Sequence, residues 1–587
     1  MTNKIQYKIA VLFVFAGLQT TFAQKKDENI GTEVVNVVKP YTPTISDAFK
    51  VKETPALEDD DNTKKEEIKY NIFSFPVAST FTPSKGRAAA VDKSKQEKLF
   101  SNYATLGVGN YGTLNAELFV TENLNKNEYI GGMLRHLSSQ GGIDDILLDD
   151  KFYNTTLDLT YGNQQKEFSW NVDAGYQHQI YNWYGLRNDF ATDLADPNDR
   201  INLINSIDPQ QTYQNIYVGG RFAAKESIFK DATLKFNHFS DAFGSSENRF
   251  YVKPTVGFEV SGQKVNATFI VDYLGGSFEK DYQGGEGLSY GFTNVGVQPS
   301  FTYQQDDLTV NLGAGLFYSM DNENSDNKFF IYPQITATYR IVGDVMIAYA
   351  GAEGGLKQNT YRDLVQENFF ISPTPTFGIN PTDQKYDIYV GMKGKIANNV
   401  GFNIRGSYKN EDQKAMFLNN PYNNENVNKE GYAFGNSFDV VYDNVKTISF
   451  FGELKADFSK NVSFGVSGTF SSYTTDVEEE AWNLPGLQVN ANLDFNITDK
   501  WYAGTSVFFV GERKDVFEYK SLLREEKEVT TLDSYFDLNA HVGYKYNERW
   551  TMFLKGNNLA SQDYQKWLNY PVQGIQVLLG ASYKFDF

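Results

Sequence analysis

Apolar and polar residues alternate along many segments of this chain. In the closing stretch GIQVLLGASYKFDF, every second position from Ile575 to Phe587 is apolar, and the positions between are polar or small except Leu578. The same alternation runs through Leu487–Ile497 and Phe536–Tyr546. Because successive side chains of a β-strand point to opposite faces, each segment predicts a strand with one apolar and one polar face.

The connections between the predicted strands alternate between short and long. Residues 498–500 and 547–549 are tight turns, whereas residues 358–383 and 512–533 are long connections. Outer-membrane barrels combine short periplasmic turns with long extracellular loops, and a soluble sandwich has no reason to separate lengths in this way. We therefore predict an all-β fold over residues 100–587: a transmembrane antiparallel β-barrel of about 22 strands with periplasmic termini and its apolar face toward lipid.

Composition agrees with a barrel and excludes several other classes. Aromatic residues make up 15% of the 587 residues, and no run of about 20 apolar residues predicts a membrane-spanning helix. The net charge of -19 disfavours nucleic acid as a partner. With no cysteine, the chain has neither a disulfide framework nor a cysteine for lipid attachment.

The N-terminal residues predict a segment that precedes the barrel. Basic Lys4 and Lys8, an apolar run and a small residue at Ala23 predict a secretory signal peptide over residues 1–23, in preference to a membrane anchor. Residues 24–99 predict a periplasmic arm that is partly disordered or fills the lumen, since its middle is the charge run LEDDDNTKKEEIK.

The C-terminal sequence YFDLNAHVGYKYNERWTMFLKGNNLASQDYQKWLNYPVQGIQVLLGASYKF resembles the end of TonB-dependent outer-membrane receptors. Asn558, Leu559 and Tyr564 stand at the places of that family's Asn-Leu…Tyr signature. The resemblance implies a 22-strand barrel in the Gram-negative outer membrane. The aromatic end also resembles the signal read by the barrel-assembly machinery, which implies an insertion signal made of Tyr583, Phe585 and Phe587.

The other end of the chain departs from that family. Its receptors carry a plug domain inside the barrel, and residues 24–99 are too short for one, so the chain resembles a plugless relative. The segment TEVVNVV resembles the strand peptide by which such receptors engage a TonB-type energising protein, an interaction of strand addition. The alternative is an ordinary extended segment packed in the lumen or on its rim. The residues concerned are Thr32, Glu33, Val34, Val35, Asn36, Val37 and Val38.

No pattern predicts catalysis, a cofactor or a metal. The four histidines fall on different predicted strands without metal-ligand spacing, and no nucleophile, base and acid can be assembled from the sequence. Long loops that mix aromatic residues with Asn and Pro suit ligand binding, although the same loops can fold inward and fill the lumen. The candidate ligand contacts are Tyr361, Phe369, Phe370, Phe377 and Trp482.

Two functions remain open at this point. The first is uptake or binding of an extracellular solute by a receptor-like barrel. The second is a non-transporting barrel subunit of an outer-membrane secretion or assembly complex, in which an acidic periplasmic arm docks a periplasmic or surface partner chain.

Overall fold

The structure is a computed structural model that describes residues 98–587, apart from 193, 195, 261, 424–428, 460 and 521–524. The predicted signal peptide, nearly all of the predicted arm and the segment Thr32–Val38 lie outside the described residues. These three assignments stay predictions.

The described residues form strands and two short helices. The strands are β1 Asn102–Gly109, β2 Leu114–Asn123, β3 Glu128–Ser139, β4 Phe152–Gln164, β5 Phe168–Asn182, β6 Gln210–Ala224, β7 Phe229–Asp241, β8 Ser246–Val260, β9 Gln263–Phe278, β10 Leu288–Gln305, β11 Leu308–Asp321, β12 Asn327–Val342, β13 Met346–Lys357, β14 Thr382–Ala397, β15 Val400–Asn419, β16 Tyr422–Asn423, β17 Phe438–Ser459, β18 Val462–Thr475, β19 Leu487–Asn496, β20 Trp501–Val510, β21 Arg513–Lys520, β22 Glu525–Leu532, β23 Tyr535–Lys545, β24 Trp550–Asn557, β25 Gln565–Trp567, β26 Tyr570–Pro571 and β27 Gln576–Phe585. The helices are α1 Pro197–Ser206 and α2 Tyr361–Glu367.

Twenty-two of these strands form one closed antiparallel barrel, and β16, β21, β22, β25 and β26 lie outside it. The last strand, β27, pairs with β24 on one side and with β1 on the other, where Asn102 faces Phe585 and Val108 faces Leu579. This pairing leaves the barrel without a free edge. The predicted fold class and strand number are confirmed.

The outer face of the barrel is apolar. Exposed hydrophobic side chains occur on strands around the barrel, among them Val390, Phe450 and Leu579. The alternation that the sequence shows in β27 points Val577 and Leu579 outward, with 42% and 60% of their surface exposed. A barrel with an apolar exterior has the surface that a bilayer requires.

Among the residues that the structure describes, no helix is long and apolar enough to cross a membrane.

The two ends of the barrel differ. Connections such as 165–167, 306–307 and 398–399 form a turn end, which also holds both ends of the barrel's chain. The opposite end, the loop end, carries the connections 183–209 and 358–381, and with them 420–437, 511–534 and 558–575.

The polar run that begins at Glu411 belongs to a strand, although its composition is typical of a loop. Strand β15 continues to Asn419 through the polar run around Glu411. Glu411 forms ion pairs with Lys409 at 3.2 Å and Lys414 at 2.8 Å, so charges that suggest a solvated loop are satisfied along the strand. The long connection at 512–533 likewise contains a hairpin, β21–β22.

Candidate functional site

An apolar cluster, which we call the loop seal, packs across the loop end. It joins residues from β6 and β9 to residues from β17, which lies on the opposite side of the barrel from β6, so the cluster must extend across the lumen. Its buried members are Tyr213, Phe239, Leu274, Phe278, Tyr290, Tyr361, Leu364, Val365, Ile371, Ile379, Phe417, Phe438, Val440, Leu532, Trp567, Leu568 and Tyr570. The long loops therefore fold inward, which is one of the two alternatives that their composition leaves open.

Helix α2 contributes three residues to the loop seal. The side chain of Thr360 caps it by accepting a hydrogen bond from the backbone N–H of Asp363 at 2.9 Å. Tyr361, Leu364 and Val365 follow at helical spacing and are all buried. The short helix thus turns one apolar face into the seal.

Two carboxylates of the barrel wall, the buried Glu247 and the half-buried Asp241, hold α2 in place. Glu247 on β8 accepts a hydrogen bond from the backbone N–H of Tyr361 at 2.6 Å and another from the Tyr290 hydroxyl at 2.9 Å. The Tyr361 hydroxyl donates to Asp241 at 3.0 Å. Burial raises the pKa of Tyr361 well above its ordinary value, so this hydroxyl keeps the proton that it donates.

Aromatic stacking continues the seal from α2 toward the neighbouring loops. The rings of Tyr181 and Phe369 are stacked with centroids 3.9 Å apart, and those of Phe370 and Tyr570 are 3.7 Å apart. Tyr213 donates its hydroxyl to the backbone carbonyl of Phe369 at 3.0 Å. These contacts join loop 358–381 to the wall.

A polar lumen cavity of about 1110 Å³ lies against the wall formed by β2–β7. Arg362 and Gln366 of α2 line it together with wall residues such as Arg135 and Asp158, whose charged groups are 2.8 Å apart. The same helix therefore contributes apolar residues to the seal and polar residues to the lumen.

A second cavity, the loop cavity, has a volume of about 820 Å³ and is lined by three loops. Its walls come from the connections 183–209, 511–534 and 558–575, and the exposed lining residues Asn188, Asp533 and Asp563 show that it opens to solvent. Leu532 and Leu568 belong both to this cavity and to the loop seal. The loop cavity therefore rests directly on the seal.

Aromatic rings are positioned in the loop cavity by polar contacts. Tyr535 and Tyr564 stack with ring centroids 3.9 Å apart and 4° between their planes. Tyr564 donates its hydroxyl to Asp537 at 3.0 Å, and burial raises the pKa of Tyr564. A stacked pair held by a charge-assisted hydrogen bond presents a rigid apolar surface to a ligand.

Among the described residues that line the loop cavity, the one cationic side chain is already engaged. The Arg187 guanidinium lies 3.9 Å from the centre of the Phe517 ring and 2.8 Å from the Asp189 carboxylate. The hydrogen bond from Arg187 lowers the pKa of Asp189. The other charged lining residues are the carboxylates Glu528, Asp533 and Asp563.

The signature residues of the tail shape one wall of the loop cavity. Asn558 is buried in a left-handed conformation, with φ of 47°. Its side-chain amide donates to the carbonyls of Gln562 and Gln573, each at 3.0 Å. Asn558 therefore folds the loop that places Tyr564 beside Tyr535, and Leu559 follows it at 36% exposure.

The five candidate ligand residues lie outside the loop cavity lining. Tyr361 is part of the seal, and Phe369 and Phe370 pack against it. Trp482 is buried, and its indole N–H donates to Glu478 at 2.7 Å. Phe377 alone of the five is exposed, at 61%. In this conformation, burial keeps a ligand away from the rings of Tyr361 and Trp482. The predicted ligand contacts of the five residues stay predictions.

Sequence reasoning thus missed the residues that line the loop cavity. Two sequence features fall in the loops that line this cavity, the long connection at 512–533 and the Asn558–Tyr564 signature. Neither feature shows that these loops meet residues 187–189. The pairing of β23 with β24 brings the connections 511–534 and 558–575 together, and closure of the barrel carries residues 187–189 to the same end.

The predicted insertion residues lie at the turn end. Tyr583 and Phe585 stack at 5.9 Å, and Phe587 lies edge-on to Phe585 at 5.6 Å with 82% of its surface exposed. Their role in insertion stays a prediction. No group of three or more potential metal ligands occurs among the described residues.

Neither a protein-family model nor a curated protein matches this sequence. Solved structures do match its fold. The FrpB iron transporter from Neisseria meningitidis (F5-1 variant) superimposes with a TM-score of 0.61 at 9% identity, over 84% of this chain and 83% of that one. The siderophore receptor PirA from Acinetobacter baumannii gives 0.60 at 11% identity, over 84% and 81%. The ferripyoverdine receptor of the Pseudomonas aeruginosa outer membrane gives 0.57 at 12%, over 84% and 72%.

This chain has the barrel fold of those receptors. The resemblance of its tail to TonB-dependent receptors implied that fold, and this part of the resemblance is confirmed. At these identities the likeness concerns the fold alone, so the ligand must be argued from this chain's own cavities.

Proposed function

We propose that this protein binds an extracellular solute in the loop cavity and takes it up across the Gram-negative outer membrane. The observation that carries the proposal is a solvent-open cavity of about 820 Å³ that rests on a seal across the lumen. Concave sites of this size suit small ligands. In this proposal the barrel-assembly machinery inserts the barrel, and lipid surrounds it. Both termini face the periplasm, where a TonB-type protein binds Thr32–Val38.

The loop seal favours a second candidate function. A lumen closed by the barrel's own loops needs no separate plug, and a permanently closed barrel serves as a platform for a secretion or assembly complex. Affinity purification from gently solubilised membranes separates the two, since a platform is recovered with stoichiometric partner chains and a solitary receptor is not.

The uptake proposal is tested by comparing the native strain with a strain that lacks the gene. Both grow in the same complex medium, and mass spectrometry follows which solutes each strain removes. We expect at least one class of solute to persist in the medium of the deletion strain and to disappear again when the full-length gene is restored.

A cavity-filling variant sharpens this test. Thr530→Trp places a large side chain at the cavity wall, and we expect the variant to insert normally and to leave the solute in the medium. The control Thr336→Trp changes a threonine of β12, away from the loop cavity, and should restore uptake. Identical depletion by the native and deletion strains would contradict the proposal.

A further inference from the structure

Strand β22 presents an edge that the barrel does not cover. The small sheet outside the barrel has the order β16, β21, β22, so β22 pairs with β21 on one side only. Within the described part of the chain, no backbone hydrogen bond to another strand is seen on the other side of Lys527–Leu532. An unpaired edge carries a row of N–H and C=O groups that bind an added strand.

The loop cavity covers one face of the β21–β22 hairpin and reaches this edge. Thr530, Thr531 and Leu532 are consecutive residues, and all three line the cavity. Glu528, Thr530 and Leu532 share one face of β22 with Phe517 of the paired strand β21, and all four line the cavity, so the cavity covers that face. Thr531 belongs to the opposite face and also lines the cavity, so the cavity reaches the margin of the strand. A ligand in the cavity is therefore placed beside the backbone of β22.

The charged residues that line the cavity indicate which side chains a strand-like ligand would carry. Glu528, Asp533 and Asp563 face it, while Arg187 is bound to Asp189 and stacked on Phe517. Lys527 lies opposite Glu518 in the hairpin register and does not line the cavity. Cationic side chains are favoured here.

The base of the cavity suits apolar side chains. Leu532 and Leu568 form its contact with the seal, and the stacked rings of Tyr535 and Tyr564 stand beside them. A strand that alternates cationic and apolar residues would point one set at the carboxylates and the other at this surface.

We infer that the ligand of the loop cavity is an extended, basic peptide that adds to the free edge of β22 as a further strand. The six residues Lys527–Leu532 set its length, because an extended chain of about six residues spans the same distance. This inference rests on the proposed function and names its ligand class.

The test uses the purified full-length chain and a fluorescent, end-blocked hexapeptide of alternating lysine and leucine. Two further peptides carry backbone N-methyl groups, one on each set of alternate residues. Fluorescence anisotropy should show that the parent peptide binds. It should also show that one N-methylated form loses at least about tenfold in affinity while the other keeps most of it, because only one set of N–H groups faces β22.

The carboxylates are tested in the same assay. Asp563→Asn combined with Glu528→Gln should weaken binding about fivefold at low salt, and the difference should shrink at high salt. The matched control is Glu323→Gln in the loop between β11 and β12, which should bind like the native chain. Heat-modifiable migration in gels checks that each variant still forms the barrel.

Two results overturn the inference. Equal binding of both N-methylated forms, whether strong or weak, would exclude strand addition. Binding of maltohexaose at the cavity, blocked by Thr530→Trp, with no binding of the peptide would replace the peptide by a sugar and leave the proposed uptake intact. If the deletion strain also depletes every solute normally, the proposed function fails as well.

Discussion

Asp515 is a fully buried carboxylate in the β21–β22 hairpin. It accepts a hydrogen bond from the backbone N–H of Asn419 at 3.1 Å and from the side-chain amide of Asn483 at 2.9 Å. Burial raises its pKa from 3.8 to about 6 despite these hydrogen bonds. One residue thus connects the hairpin to β15 and to the loop at 476–486.

The stability of this region should depend on pH between about 4 and 6. In that window folded Asp515 binds a proton that the unfolded chain has released, so the region becomes less stable as pH rises toward 6 and changes little above it. Between pH 7 and pH 5 we expect the hydrogen-exchange protection of β21 amides to rise about tenfold, which is roughly 1.4 kcal/mol.

Asp515→Asn should remove that dependence, since an amide does not titrate. Glu512→Gln is the control, because Glu512 is exposed just before the same strand, and it should behave like the native chain. A native protection factor that stays constant from pH 7 to pH 5 would rule out the buried, titrating carboxylate.

At the scale of the element, we expect α2 and its loop to decide whether the lumen is open. The helix has only seven residues, and an isolated helix of that length is not stable in water. It persists because Tyr361, Leu364 and Val365 are buried and because Glu247 accepts its first N–H groups. The closed state of the barrel therefore depends on side chains of the wall.

Glu247→Ala should open the seal part of the time. The change leaves the N–H of Tyr361 and the hydroxyl of Tyr290 buried without this acceptor, at about 1–3 kcal/mol for each group. Single-channel recordings in planar bilayers should show frequent openings in the variant and few in the native chain.

Two further variants make this experiment specific. Glu353→Ala removes a carboxylate that accepts from Tyr389 at 2.6 Å on the wall away from α2, and its conductance should stay low. The native chain has no cysteine, so the double substitution Gln179→Cys and Gln366→Cys introduces two unique thiols. In the native chain the side-chain amide of Gln366 donates to that of Gln179 at 2.7 Å. A short cross-linker between the two thiols should close the Glu247→Ala channel. Persisting current after cross-linking would show that the pore lies elsewhere.

At the scale of the whole molecule, the barrel needs something to close it, since 22 strands enclose a wide lumen. Among the described residues, the buried members of the loop seal all lie between Tyr213 and Tyr570. We therefore expect a version that lacks residues 24–97 to form a barrel that conducts as little as the full-length protein.

Bilayer conductance of the two versions checks this expectation. A large, steady pore in the shortened version alone would show that the arm is needed to close the barrel. Leu559→Ala in the full-length chain controls for effects of purification and reconstitution on conductance, because Leu559 lies outside the seal.

How far the sequence predicts this structure depends on the range of the interactions. The alternation in Gln576–Phe585 and the tight turn at 547–549 are local, so strand positions and the direction of each face follow from them. The inward course of loop 358–381 is not local. Tyr361 and Phe369 are residue types that often contact ligands. Only their hydrogen bonds with the wall residues Glu247 and Tyr213 show that they are packed against the wall instead.

The sequence by itself determined the barrel, its strand number, its apolar exterior and the long loops at one end. These properties depend on side-chain alternation and connection length, which are local features of the sequence. Only the tertiary structure decided that loops distant in sequence meet to seal the lumen and to enclose the loop cavity. Arg187, Phe517 and Tyr564 come from three separate loops. Their proximity arises because strand pairing carries those loops to the same end of one closed barrel.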